Sequence, residues 1–273
     1  MTWKLECGSY MLYVIEDGYY WRDPETYFAE ATEHDWRFHP RNDQGQARLN
    51  FGCFLMTDGE HTIMVDSGIG EIDQAGMTAG LMPQAVDALG IPRDSVETVI
   101  YTHMHYDHIG GSQRDGAIVF PNARHLFHTK EWEHWKTVDN DTGAAARRIM
   151  TPLFDAGVVD FVGADTEVIP GVTAVESFGH TPGHLTVNIA SQGTSTLIGG
   201  DLSNHPFQVE HPYWSLPVDN DHHLAGTARD IVFETIKDGP TTFLAGHYPM
   251  PGVGKIVTED GTRMFRPEPP PRV

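Results

Sequence analysis

Residues 102–111 read THMHYDHIGG, which places His103, His105, Asp107 and His108 within six residues. Alternate positions on an extended segment point the same way, so His103 and His105 can reach one cation together. Asp107 and His108 follow where the chain turns towards a helix, and can face a second cation. Neutral imidazole and carboxylate are suitable donors for zinc and its first-row neighbours. A histidine-rich surface loop is the competing reading, since the chain has 16 histidines. Three histidines and an aspartate in this order and spacing argue against it.

The surrounding pattern supplies the elements that hold these side chains. A β-rich run over 96–101 delivers the chain into Thr102 and His103. Apolar strand-like runs cover 10–15 and 51–57, and Asp58-Gly59 is a turn signal before a returning strand over 61–65. Residues 79–89 read as an amphipathic helix stopped by Gly90. Further helices are expected over 131–138, with Thr129 as cap, over 144–156 and over 224–237. Strands are expected over 158–162, 172–176, 185–190, 194–198 and 242–245. Strands mixed with helices in this way predict a layered α/β protein. One domain is expected over 1–265. The Pro-rich tail at 266–273, RPEPPPRV, is expected to be a surface extension that forms neither helix nor central strand.

Composition narrows the partners. The 273 residues carry 38 acidic side chains against 18 Lys plus Arg, a net charge of −20 with histidine neutral. That balance disfavours nucleic acid, which needs a basic footprint. No run of 18 apolar residues predicts a membrane span, and the N-terminus does not read as a secretory signal. Cytoplasm is the expected location. Cys7 and Cys53 sit in no ligand-like cluster and read as ordinary strand or core residues.

The HMHYDH segment resembles the HxHxDH signature of the metallo-β-lactamase superfamily. The likeness extends to Val65-Asp66-Ser67-Gly68, to Gly179-His180-Thr181-Pro182-Gly183-His184, to Gly200-Asp201 and to Gly246-His247. It implies an αββα sandwich with two divalent metal ions at one edge, zinc by default. His103, His105 and His180 would bind the first metal. Asp107, His108 and His247 would bind the second, and Asp201 would bridge them. Water held by such a pair becomes acidic enough to attack near neutral pH.

Within the superfamily, FGHTPGHLTVNIASQG leading to GGDLSNH, and the loop from His247 to Gly254, are similar to a subgroup containing methyl parathion hydrolase and related N-acyl homoserine lactonases. The resemblance implies a lactonase opening acyl homoserine lactones by attack of metal-activated hydroxide on the carbonyl, with phosphotriesterase activity as a companion. The substrate would be a small ester, lactone or phosphotriester, and the enzyme a homodimer. Hydrolysis of a β-lactam or thioester at the same centre is the alternative. A non-catalytic metal-binding protein is the alternative of another class.

Other residues have subordinate expectations. Asp107 and His205 are the candidate catalytic groups, His205 as a substrate contact or proton donor. Asp66 is expected to orient a ligand histidine, and His184 to make a structural hydrogen bond. His125, His128 and His134 read as packing or surface residues, and His222-His223 as solvent-facing or capping. The aromatics Tyr19, Tyr20, Trp21, Tyr27, Phe28, Trp36 and Phe38 line an apolar pocket, cover a dimer partner or pack as a surface arm on the domain. Phe207, Tyr213 and Trp214 are expected as pocket walls.

Overall fold

The computed structural model describes the backbone of residues 1–273 and every side chain except those of Arg37 and Phe38. Phe38, counted above among the aromatics, therefore lies outside the described side chains. Two mixed sheets stack face to face. The first runs in the order Thr2–Cys7, Tyr10–Arg22, Ala47–Thr57, Thr62–Val65, Thr98–Ile100, Arg124–His128, Val159–Val162. The second runs in chain order from Thr166–Ile169 to Thr262–Pro267.

Both faces of the first sheet are buried, and the period-2 alternation of a strand sorts its side chains between them. Val14, Phe54, Met56, Ile63, Val65 and Ile100 point between the sheets, against Val187, Ile189, Ile198 and Leu244. Their neighbours Ile15, Cys53, Leu55, Met64 and Val99 point outward, under a helical layer. That layer is α1 (Met82–Ala88), α3 (Thr129–Trp135) and α4 (Asp141–Asp155). Between α1 and α3 lies the single-turn α2 (Tyr106–Ile109). The second sheet is covered by α5 (His222–Ile236), whose Phe233 and Ile236 meet Leu197, Phe243 and Ile256. The expected αββα sandwich is therefore the observed fold. Cys7 and Cys53 are free and buried in different layers.

Local chemistry explains most boundaries. Asn140 caps α4 by accepting from Gly143 N, and Asp221 caps α5 by accepting from Leu224 N. The expected Thr129 cap is corrected: His128 Nδ1 accepts from Lys130 N, and Thr129 is the first helical residue. Two strands, Val253–Glu259 and Thr262–Pro267, lie beyond the elements expected from the sequence. The last runs into the Pro-rich tail. Pro271 O accepts from Lys4 N, and Val273 N donates to Thr2 O, so the tail lies along the edge strand Thr2–Cys7. Prolines are compatible with that edge position because no ladder donor is required there.

Asp17, at the bulge midway along the strand Tyr10–Arg22, fixes the route of the chain past the site. Its Oδ2 accepts from Ile69 N at 2.8 Å and Gly70 N at 3.2 Å, and its Oδ1 from Met82 N at 2.8 Å. Gly68, at φ +76°, has no room for a Cβ, which would fall 2.4 Å from the Asp17 carboxyl carbon. Asp17→Asn must turn an amide donor against at least one of these N–H groups. It is expected to lower unfolding free energy by about 1–3 kcal/mol, measured by denaturant titration; unchanged stability would contradict this account.

Candidate metal centre

The site forms where the parallel strands of both sheets end. In the first sheet Val65 pairs with Ile100, so Asp66 and Thr102 leave their strands side by side. In the second, Ile198 pairs with Leu244, which brings the Asp201 and His247 loops to one edge. Leu185 N donates to Thr102 O at 2.8 Å and joins the two edges directly. Carboxyl ends of parallel strands are where loops can converge on a ligand without breaking the sheet.

All seven expected ligands come together. His103, His105, His180 and Asp201 form one group, and Asp107, His108 and His247 another, with donor atoms within 4.8 Å inside each group. Asp201 stands between them. Its Oδ2 lies 3.2 Å from His180 Nε2 and 3.9 Å from His103 Nε2. Its Oδ1 lies 3.1 Å from His247 Nε2 and 3.2 Å from His108 Nε2. Asp107 Oδ2 faces His247 Nε2 at 3.4 Å. Each oxygen of one carboxylate thus addresses a different set of imidazoles.

The far nitrogens are already occupied, which fixes how each ring is presented. His108 Nδ1 donates to Asp66 Oδ2 at 2.8 Å, as expected for Asp66. Asp66 also accepts from Thr102 N and Thr102 Oγ1, both at 2.8 Å, and holds a left-handed φ of +57°. His180 Nδ1 donates to Asp219 Oδ1 at 2.7 Å, and His247 Nδ1 to Asn50 O at 2.6 Å. Asp219 is itself buried on the Arg229 guanidinium, at 3.0 Å. His103 Nδ1 faces Thr102 Oγ1 at 3.1 Å.

This donor set fits divalent cations. His103 Nε2, His108 Nε2 and Asp201 Oδ1 are buried with no hydrogen-bond partner. His105 Nδ1 and His180 Nε2 face each other at 3.0 Å, and two lone pairs so close need a cation or a proton between them. Burial, then His108, holds the pKa of His103 well below the ordinary value; burial, then His180, takes His105 down to about 3. Burial also opposes charge on His180, but Asp201 and Asp219 outweigh it and raise it to about 9. Asp201 likewise outweighs burial at His108 and His247, raising both. These three imidazoles are the converse of Asp201, whose carboxyl they hold well below the usual range against its burial.

The subordinate expectations divide. His184 is structural: Nδ1 meets Ser177 Oγ at 2.8 Å and Nε2 accepts from Asp201 N at 2.9 Å, which fixes the Asp201 backbone. His125 and His128 pack away from the centre, on the Tyr101 hydroxyl and on Glu176. His222 and His223 are exposed at the start of α5. The role expected of His205 is corrected. Its Nε2 donates to His39 Nδ1 at 2.8 Å, its Nδ1 accepts from Phe207 N at 3.3 Å, and its ring is buried among Phe28, Trp36 and Phe207. Neither nitrogen is left for a substrate.

The centre opens into a cavity of about 400 Å³ lined by Asp107, Asp201, His247 and the apolar side chains Leu49, Phe51, Leu216, Pro217 and Val218. Phe207, Tyr213 and Trp214 are not among its walls, so that expectation is corrected too. Phe207 and Trp214 pack instead in a cluster with Phe28, Trp36 and Leu216, and Tyr213 is exposed. In the aromatic arm Phe28 and Trp36 pack on the domain, while Tyr20 and Tyr27 line the cavity.

Two supporting carboxylates escaped the sequence reading. Asp219 is one. Glu131, fully buried, is the other: Oε1 accepts from Met104 N at 2.9 Å and Trp135 Nε1 at 2.7 Å, and Oε2 from Gly183 N at 2.9 Å. It joins the loop of His103 and His105 to that of His180. The sequence gives no local hint of it, since Glu131 sits in the largely polar stretch TKEWEHW.

Asp219→Asn is expected to weaken zinc at the His103–His105–His180 site by roughly 10- to 100-fold, measured by competition with a chromophoric chelator; equal affinity would contradict the orienting role. His180, raised to about 9, carries a proton at neutral pH without a cation, and His108 and His247 are shifted in the same direction, so zinc must displace protons. Apparent affinity should fall as pH drops, and the calorimetric enthalpy of zinc binding should vary with buffer ionisation enthalpy. A buffer-independent enthalpy would contradict it.

Comparison with known proteins agrees with this geometry. Residues 53–247, well over half of the chain, match the family described as Metallo-beta-lactamase superfamily. An N-acyl homoserine lactonase of Bacillus thuringiensis is 24% identical over 221 residues, covering 71% of this chain and 80% of the relative. Among solved structures, AidC, a dizinc quorum-quenching lactonase in complex with a product, superposes with a TM-score of 0.87 at 19% identity, over 98% of this chain and 97% of that one. AbOPH, described as a hydrolase in the beta lactamase superfamily, gives 0.85 at 22% identity, over 98% and 97%. With the matched segment spanning from the inner strands to the last ligand histidine, the chain belongs to the metallo-β-lactamase superfamily.

Proposed function

We propose that this protein is a lactonase that opens N-acyl homoserine lactones at a pair of divalent cations, with zinc in both positions. The observation that carries the reading is the position of Asp201: one carboxylate addresses two sets of imidazoles at the floor of a cavity with an apolar wall. Relatives named N-acyl homoserine lactonase support the substrate class.

Two cations so held supply a Lewis acid for the carbonyl and a water acidic enough to attack it. The chain's own residues do the rest. Asp107 and Asp201 balance part of the cationic charge and keep the two positions close. Leu49, Phe51, Leu216, Pro217 and Val218 offer an acyl chain a place out of water. Asn204 Nδ2 donates to Asp201 Oδ2 at 2.8 Å and limits its rotation.

The test is acid release from a long-chain acyl homoserine lactone by zinc-loaded protein. Asp107→Asn is expected to cut the rate by roughly 100-fold. Undiminished turnover in that variant would contradict the assignment of Asp107. No ring opening, in protein carrying two zinc ions, would transfer the reading to thioester, phosphotriester or β-lactam substrates.

A further inference from the structure

The residues described so far would hold the cations and the attacking water, and the one side-chain donor among them, Asn204 Nδ2, is turned to Asp201 Oδ2. His205, the donor expected from the sequence, is turned away and satisfied on both nitrogens. The cavity wall contains other O–H groups. Tyr20 is half-buried, and its oxygen accepts from Arg22 Nη1 at 3.3 Å. Tyr106 stands half-buried, beneath the Arg148 guanidinium at 6.0 Å from its ring centre, and also borders a separate surface cavity.

Tyr27 differs from both. Its residue surface is only 9% exposed. The ring is fixed edge-on against Phe28, with centroids 5.0 Å apart, and packs in the cluster with Leu49, Phe207 and Leu216. The 3-10 turn Pro24–Thr26 delivers it, and Arg22 holds that turn by donating to Thr26 Oγ1 at 2.9 Å while its guanidinium lies 5.7 Å from the Tyr27 ring centre. The residue lines the same cavity as Asp107, Asp201 and His247. Its hydroxyl has no hydrogen-bond partner among the described residues. The ring is held by its packing, so the hydroxyl is presented to the cavity with its O–H uncommitted. The cavity is where such a partner would enter.

We propose that Tyr27 is a catalytic residue whose hydroxyl donates a hydrogen bond to the substrate's carbonyl oxygen as that oxygen takes on negative charge. This rests on the hydrolase reading above. Water oxygen adds to the carbonyl carbon, and the C=O π pair moves onto the carbonyl oxygen, where the Tyr27 O–H meets it. As the pair returns, the ring C–O bond breaks and the leaving oxygen takes a proton that came from the water. Tyr27 keeps its own proton throughout. Burial, then Asp201, raises the phenol's pKa well above its ordinary value, so the proton is present across the working range. Fixing the donor before the charge develops is what makes it effective.

The test compares Tyr27→Phe with the parent, both zinc-loaded and with metal content and thermal midpoint measured, because phenylalanine retains the packed ring. The expected result is a kcat lower by roughly 10- to 100-fold, with KM changed by less than about threefold. The affinity of a cyclic phosphonate that mimics the tetrahedral species, measured by calorimetry, should weaken by a similar factor. Parent-like kcat and parent-like phosphonate affinity would overturn the proposal. So would a loss matched by a loss of zinc, which would make Tyr27 structural. If the parent opens no lactone, the lactonase reading fails by itself. The comparison then moves to an aryl ester and the same phosphonate, which still decide the role of Tyr27.

Discussion

A buried carboxylate with imidazole edges facing both of its oxygens is the constraint on which this structure turns. Asp201 is only 4% exposed, and a lone carboxylate in such a place is costly. Its two oxygens meet His180 and His103 on one side, and His247 and His108 on the other. Those rings cannot rotate away, because their other nitrogens are committed to Asp66, Asp219, Asn50 O and Thr102. The result is a set of inward-facing lone pairs that only cations or protons can reconcile.

The sandwich exists around that point in a concrete sense. Each sheet contains parallel strands, and the Val65–Ile100 pairing of one and the Ile198–Leu244 pairing of the other end at the same edge. Ligands from four separate loops therefore arrive within hydrogen-bonding range without any long flexible segment between strand and ligand. Three buried carboxylates act as ties. Asp66 holds the end of one strand to the next, Glu131 holds the HMH loop to the His180 loop, and Asp219 links His180 to the floor of α5 through Arg229. The apolar layers above and below supply bulk stability, but these polar ties set the distances.

What the sequence disclosed follows from how local each signal is. HMHYDH packs four ligands into six residues, so spacing alone exposes them. His180, Asp201 and His247 are single residues in short loops, and become legible only through a family pattern. Asp219 and Glu131 have no local signature. Asp219 meets a partner 39 residues away and Glu131 spans 52 residues to Gly183, and such partners are set by the sheet stacking. His205 misled because it follows Asp201 by four residues, yet the extended Ser203 and His205 backbone turns its ring into the aromatic cluster. Tyr213 and Trp214 misled for the same reason: proximity in sequence to a ligand does not fix the direction of a side chain. The cavity's aromatic wall comes instead from Tyr20 and Tyr27, far upstream.

The central claim is that Asp201 lies between two cations. Anomalous scattering at the zinc edge, from crystals of the zinc-loaded protein, tests it without reference to any substrate. The account predicts two peaks about 3.5–4 Å apart, one among His103, His105 and His180, the other among Asp107, His108 and His247, with one Asp201 oxygen facing each. A single peak, or two peaks with Asp201 turned away from either, would contradict it.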